Sequence, residues 1–129
     1  MTATVTEQDI AFDPENDQSH PIPFLRVIDV AGYKPGSADL AIIVATALDA
    51  SPRSQTRLLD KIQGYLGHIS SDEFIADAGI APTPENTQIT VHLHPESDDQ
   101  IRELLFKCHH WVHSCDARLV VRDLDDPGN

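Results

Sequence analysis

Residues 88 to 122 hold the pattern that most restricts the fold. From Gln88 to His94, Ile89, Val91 and Leu93 alternate with Thr90, His92 and His94, the period of two expected of a half-buried strand. Pro95 ends it, and Glu96, Ser97, Asp98 and Asp99 supply a capping side chain and negative charge suited to the positive end of a helix. The spacing predicts a helix from about Ser97, with Ile101, Leu104, Leu105, Cys108, Val112 and Cys115 on one stripe and Trp111 at its edge. Phe106, His109, His110 and His113 project the other way. From Arg118 to Asp123, Leu119 and Val121 alternate with Arg118, Val120 and Arg122, so a second strand follows.

The same stretch carries five of the seven histidines, both cysteines and the only tryptophan. His109 and His113 are four apart on a helix, and His92 shares a strand face with His94, so each pair has a spacing open to two metal ligands. A helix returning over its preceding strand puts the two pairs roughly 20 Å apart, at about 1.5 Å rise per residue. They are not expected to share an ion. Histidines near a helix C-terminus are also favoured by the helix dipole, so no metal site or cofactor is expected, and His109 and His113 are only weak candidate ligands. Cys108 and Cys115, seven apart on one face, place their Cα atoms roughly 10 Å from each other, beyond disulfide reach. Buried thiols are the reading.

Before this stretch, residues 1 to 21 carry Glu7, Asp9, Asp13, Glu15 and Asp17 with no lysine or arginine and read as a flexible acidic arm. Residues 22 to 124 read as one domain and residues 125 to 129 as a polar tail. A strand pattern from Phe24 to Val30, a turn over Tyr33 to Ser37 and an apolar return from Leu40 to Leu48 predict a hairpin whose second strand is covered on both sides. Ser51 and Pro52 open a helix with a stripe of Leu58, Leu59, Ile62, Tyr65, Leu66 and Ile69. Arg53, Arg57 and Lys61, four apart, form its basic stripe and read as a solvated face. Whether residues 71 to 75 form a short edge strand is left open by the sequence: with it the core is ferredoxin-like, and without it the hairpin supplies the missing sheet partner; a loop with Gly79, Pro82 and Pro84 follows.

The resulting expectation is an α+β domain, with two helices on one face of a mostly antiparallel sheet of four to five strands, ferredoxin-like or a variant of it. Leu58, Leu59, Lys61, Ile62, Tyr65, Leu66, Ile69 and Ser71, followed by Ile89, Val91, Pro95 and the acidic helix start, resemble a family of small bacterial domains of unknown function. The resemblance covers about residues 24 to 122, rests mainly on core positions, and implies no catalytic residue.

With 129 residues, one domain is expected. Twenty-one acidic against nine basic residues and a formal charge of −12 argue against binding a phosphate backbone, so no nucleic-acid partner is expected. No apolar run suits a membrane span and no signal peptide opens the chain; two unpaired cysteines agree with a reducing compartment. The expectation is a cytoplasmic protein. No nucleophile, base and orienting group stand at a recognisable spacing, and there is no glycine-rich phosphate loop. The reading leans away from an enzyme, toward an interaction module that forms a homodimer or binds another protein. Its expected ligand or partner face is Thr90, His92, His94, Arg118, Val120 and Arg122. Two alternatives remain. One is a small enzyme or ligand-binding domain using His92 and His94 as acid and base, with Arg118 and Arg122 gathering an anion. The other is an immunity or inhibitor-type protein for a basic toxin.

Overall fold

The computed structural model describes residues 16 to 124. The expected arm lies outside the described residues as far as residue 15, as does the polar tail. From Asn16 to Asp29 the chain is a strap, with only a bridge between Asn16 and Phe24 as regular pairing. It leads into a hairpin of β1 (Val30–Lys34) and β2 (Ser37–Val44). Pro35 and Gly36, the latter at φ 83°, make the two-residue turn; proline pre-sets the first position and glycine takes the left-handed second one.

α1 (Pro52–Ile69) starts where expected, capped by the Ser51 hydroxyl accepting from the Ser54 N–H. Its stripe Leu58, Ile62, Tyr65, Leu66 and Ile69 is buried. α2 (Asp72–Ala78) then occupies the place of the candidate edge strand. Ser71 caps it by accepting from the Phe74 N–H, Asp72 and Glu73 sit in its first turn, and Gly79 at φ 72° stops it. These start and stop signals outweigh a five-residue strand pattern. Phe74 is fully buried, with its ring 6.1 Å from that of Tyr33 on β1.

β3 (Thr87–Leu93) is followed by α3 (Asp99–Lys107), α4 (His109–Ser114) and β4 (Arg118–Asp123). The expected single helix is divided at Cys108, whose N–H bonds the Leu105 carbonyl at 3.0 Å, a tighter i to i−3 turn. The stripe survives the break: Ile101, Leu105, Cys108 and Val112 are buried, with Leu104, Trp111 and Cys115 packed against them. Among the described residues no helix is long and apolar enough to cross a membrane.

The α+β class holds, but the sheet is mixed, with order β1-β2-β3-β4. Only β1 and β2 are antiparallel; β2 with β3 and β3 with β4 are parallel. This corrects the mostly antiparallel, ferredoxin-like expectation. A ferredoxin-like sheet needs another strand between the two joined by a helix, and the candidate segment for it folded as α2. β3 therefore lies directly beside β2, and β4 beside β3. The two-helix count also gives way to four helical segments.

One sheet face, Leu40, Ile42, Val44, Ile89, Val91, Leu93 and Leu119, joins the helices in a single core. β2 is central but covered on this face only, since Asp39 and Ile43 on its other face keep solvent contact. The helices thus form one layer and the sheet the other.

Arg57 and Lys61, read as a solvated stripe, are buried at 0% and 1% exposure. The strap runs along α1, and its backbone has no strand ladder to satisfy it. Arg57 donates to the Ile22 and Pro23 carbonyls. Lys61 donates to the Phe24 and Val27 carbonyls and to the Asp29 carboxylate. One turn on, the Tyr65 hydroxyl accepts from the Asp29 N–H at 2.7 Å and donates to the Ala41 carbonyl at 2.6 Å, while Asp29 accepts from the Ile43 N–H at 3.0 Å. Tyr65→Phe leaves both backbone groups without this partner, and a loss of about 1–3 kcal/mol of stability is expected, measured by urea denaturation at an unchanged slope.

Candidate functional site

The face opposite the helices receives alternate residues of all four strands, and the pairing register sorts them into rows. Val30, Ala41, Thr90 and Val120 pair across the sheet in one row. Gly32, Asp39, Gln88 and Arg118 form a second toward the hairpin turn, and Ile43, His92 and Arg122 a third toward the other end. The period of two in the sequence is enough to place Thr90, His92, Arg118, Val120 and Arg122 together here. His94 lies past the end of β3, where its Nδ1 accepts from the Glu96 N–H at 3.1 Å.

Three residues of the second row and Thr90 of the first form a directed hydrogen-bond chain. Arg118 Nε donates to Gln88 Oε1 at 2.9 Å, Gln88 Nε2 donates to Thr90 Oγ1 at 2.8 Å, and Thr90 Oγ1 donates to Asp39 Oδ1 at 3.0 Å. Arg118 also donates to the Pro84 and Glu85 carbonyls. A shallow pocket of about 170 Å³ opens beside it, bordered by Gly32, Lys34, Asp39, Gln88 and Arg118. Through this chain Thr90 is 3% exposed although it stands on the open face.

The four groups of the enzymatic alternative do not converge. His92 pairs with Arg122, but Arg118 belongs to the opposite row and His94 to the following turn, so two histidines and two arginines do not surround one substrate volume. A cleft of about 480 Å³ lies elsewhere, between the strap and the outer side of α1, lined by Leu25, Arg26, Asp60, Gln63, Gly64 and Gly67. His109 and His113 are exposed on α4, with His109 Nδ1 2.9 Å from the Phe106 carbonyl. No three His, Cys, Asp or Glu side chains gather for a metal among the described residues, so this pair meets no third ligand. Burial pushes the Cys108 thiol up, against a role as nucleophile.

A serine, histidine and aspartate do meet where the strap joins α1. His20 Nε2 lies 3.0 Å from Ser54 Oγ, and Ser54 Oγ donates to Asp49 Oδ1 at 2.6 Å. The polarity is wrong for nucleophilic catalysis. His20 Nδ1 accepts the Ile22 N–H at 2.9 Å, so in the neutral ring Nε2 carries the proton and donates to Ser54. A general base would have to accept there. Ser54 is also 3% exposed. Hydrogen bonds from Ser54 and Ser51 hold the Asp49 carboxyl below the usual carboxylate range. Burial, then the charges of Arg57 and Arg53, lower the pKa of His20.

Sequence reading missed this junction, which joins positions 34 residues apart. A partial signal existed. Tyr65 belongs both to the apolar stripe and to the four-residue series Arg53, Arg57, Lys61, Tyr65, so at about 100° per residue the basic series borders the core.

Comparison of the chain with models of known families, with curated proteins and with solved structures gives no match.

Thr90→Val keeps the side-chain shape but removes one donor and one acceptor from the chain of bonds. A loss of about 1–2 kcal/mol is expected, read as a lower urea midpoint.

Proposed function

We propose that this protein is a non-enzymatic interaction module that self-associates through the open face of its sheet. The observation that carries the reading is one-sided coverage: the helices join the core on one face, and the other carries the row Val30, Ala41, Thr90 and Val120 with Ile43 beside it, where Val30 is 51% exposed, Val120 and Ile43 are half-buried, and Ala41 and Thr90 lie low between them at 9% and 3%. A central apolar strip bounded by polar rows is the usual anatomy of a protein interface. Lys34, Arg118 and Arg122 stand on this face against Asp39, so it is less acidic than a chain of formal charge −12 as a whole. Two copies therefore repel each other least when these faces meet.

The size of the face bounds the affinity. Four strands about 4.8 Å apart, each spanning about six residues of roughly 3.3 Å, cover on the order of 20 Å by 20 Å. In projection that is about 400 Å², below the roughly 800 Å² per partner of a standard interface and in the range of weak, reversible contacts. A reversible dimer with a dissociation constant of micromolar order is expected.

Light scattering over a concentration series tests this, with a mass rising from monomer to dimer expected. Val120→Glu is expected to hold the protein at monomer mass while circular dichroism keeps the native spectrum. A monomer at hundreds of micromolar, or a dimer indifferent to Val120→Glu, would overturn the reading.

A further inference from the structure

We propose that His20 is a proton-operated latch, which closes the strap against α1 when neutral and releases its first half, residues 16 to 24, when protonated. The proposal rests on how completely the ring is used. Nδ1 accepts the Ile22 N–H at 2.9 Å, and Nε2 reaches Ser54 Oγ at 3.0 Å, so both nitrogens are engaged and each in one role. A second proton has to enter at Nδ1, where it meets the Ile22 N–H head-on and ends the bond. That bond lies inside the turn closed by Asp17 N–H to the Pro23 carbonyl at 2.8 Å and His20 N–H to the Asp17 carbonyl at 3.0 Å. Opening there withdraws the Ile22 and Pro23 carbonyls from Arg57.

The surroundings oppose an imidazolium. Arg53 and Arg57 face the ring from α1, Asp49 from the loop before α1, and Asp17 from the strap. The two carboxylates favour the charge, but Asp17 is engaged by Ser19 and Arg53, and Asp49 by Ser51 and Ser54. Burial and the two arginines prevail, so the closed form holds the ring below its ordinary value of 6.5. A released ring in water titrates near that value. Closure is therefore at full strength above it and weakens as pH falls toward the lowered value, because the released form takes up the proton more readily than the closed one. Asp17 and Asp49 are both held below the ordinary carboxylate value, so they stay charged through this window.

Hydrogen exchange on the full chain, corrected for the intrinsic pH dependence of exchange, tests the latch. Between about pH 7 and pH 5, protection of residues 16 to 24 is expected to fall by up to about tenfold for each pH unit, while β3 keeps its protection. In His20→Asn the side-chain oxygen can still accept the Ile22 N–H two residues on, but nothing titrates, so protection is expected to be independent of pH. An equal fall in His20→Asn, or no fall in the wild type, overturns the proposal. Should His20→Asn leave the strap open at every pH, the wild-type imidazole decides by nitrogen NMR. An Nε2–H tautomer titrating below 6.5 sustains the latch, and an Nδ1–H tautomer or a higher midpoint overturns it.

Discussion

The arrangement depends on two cations on α1 that give up water to hold a strap with no ladder of its own. Removing an ammonium or guanidinium from water costs several kcal/mol, and a hydrogen bond to a charged group returns about 1.5–3 kcal/mol. One contact would not suffice. Arg57 and Lys61 each make at least three, to carbonyls or a carboxylate of the strap, and no buried side-chain nitrogen or oxygen among the described residues lacks a partner. The dependence is mutual, because strap carbonyls turned against α1 need donors as much as buried cations need acceptors.

This contact also sets where the sheet begins. Asp29 ends the strap against Lys61, and through Tyr65 and the Ile43 N–H it joins α1 to β2 just before β1 starts. The hairpin is thereby tied to the helix layer at the edge of the sheet, while α2 adds the Phe74 to Tyr33 contact on the same edge. From β2 onward each helical connection ends in the adjacent parallel strand. Successive connections of one hand that advance in one direction keep their helices on one side, which leaves the other face of the sheet uncovered by them.

That face is more polar than an ordinary core face and more apolar than an ordinary surface. Its bonded chain from Arg118 to Asp39 fixes the Gln88 and Thr90 side chains between two charged groups.

The local patterns were legible where neighbouring residues carry all the information. β3 and β4, the starts of α1 and α3, the hairpin turn and the five sheet residues on one face follow from periods of 2 and 3.6, caps and turn residues. At residues 71 to 75 the sequence left a strand open, and the capping signals of Ser71 and Gly79 that decide for a helix were present. What the sequence could not decide was which surfaces meet. The burial of Arg57 and Lys61, the His20, Ser54 and Asp49 junction and the parallel order of the strands all join residues distant in the chain. Whether a cation stands in water or against carbonyls is settled by the segment that covers it, and only the tertiary structure brings the strap to α1.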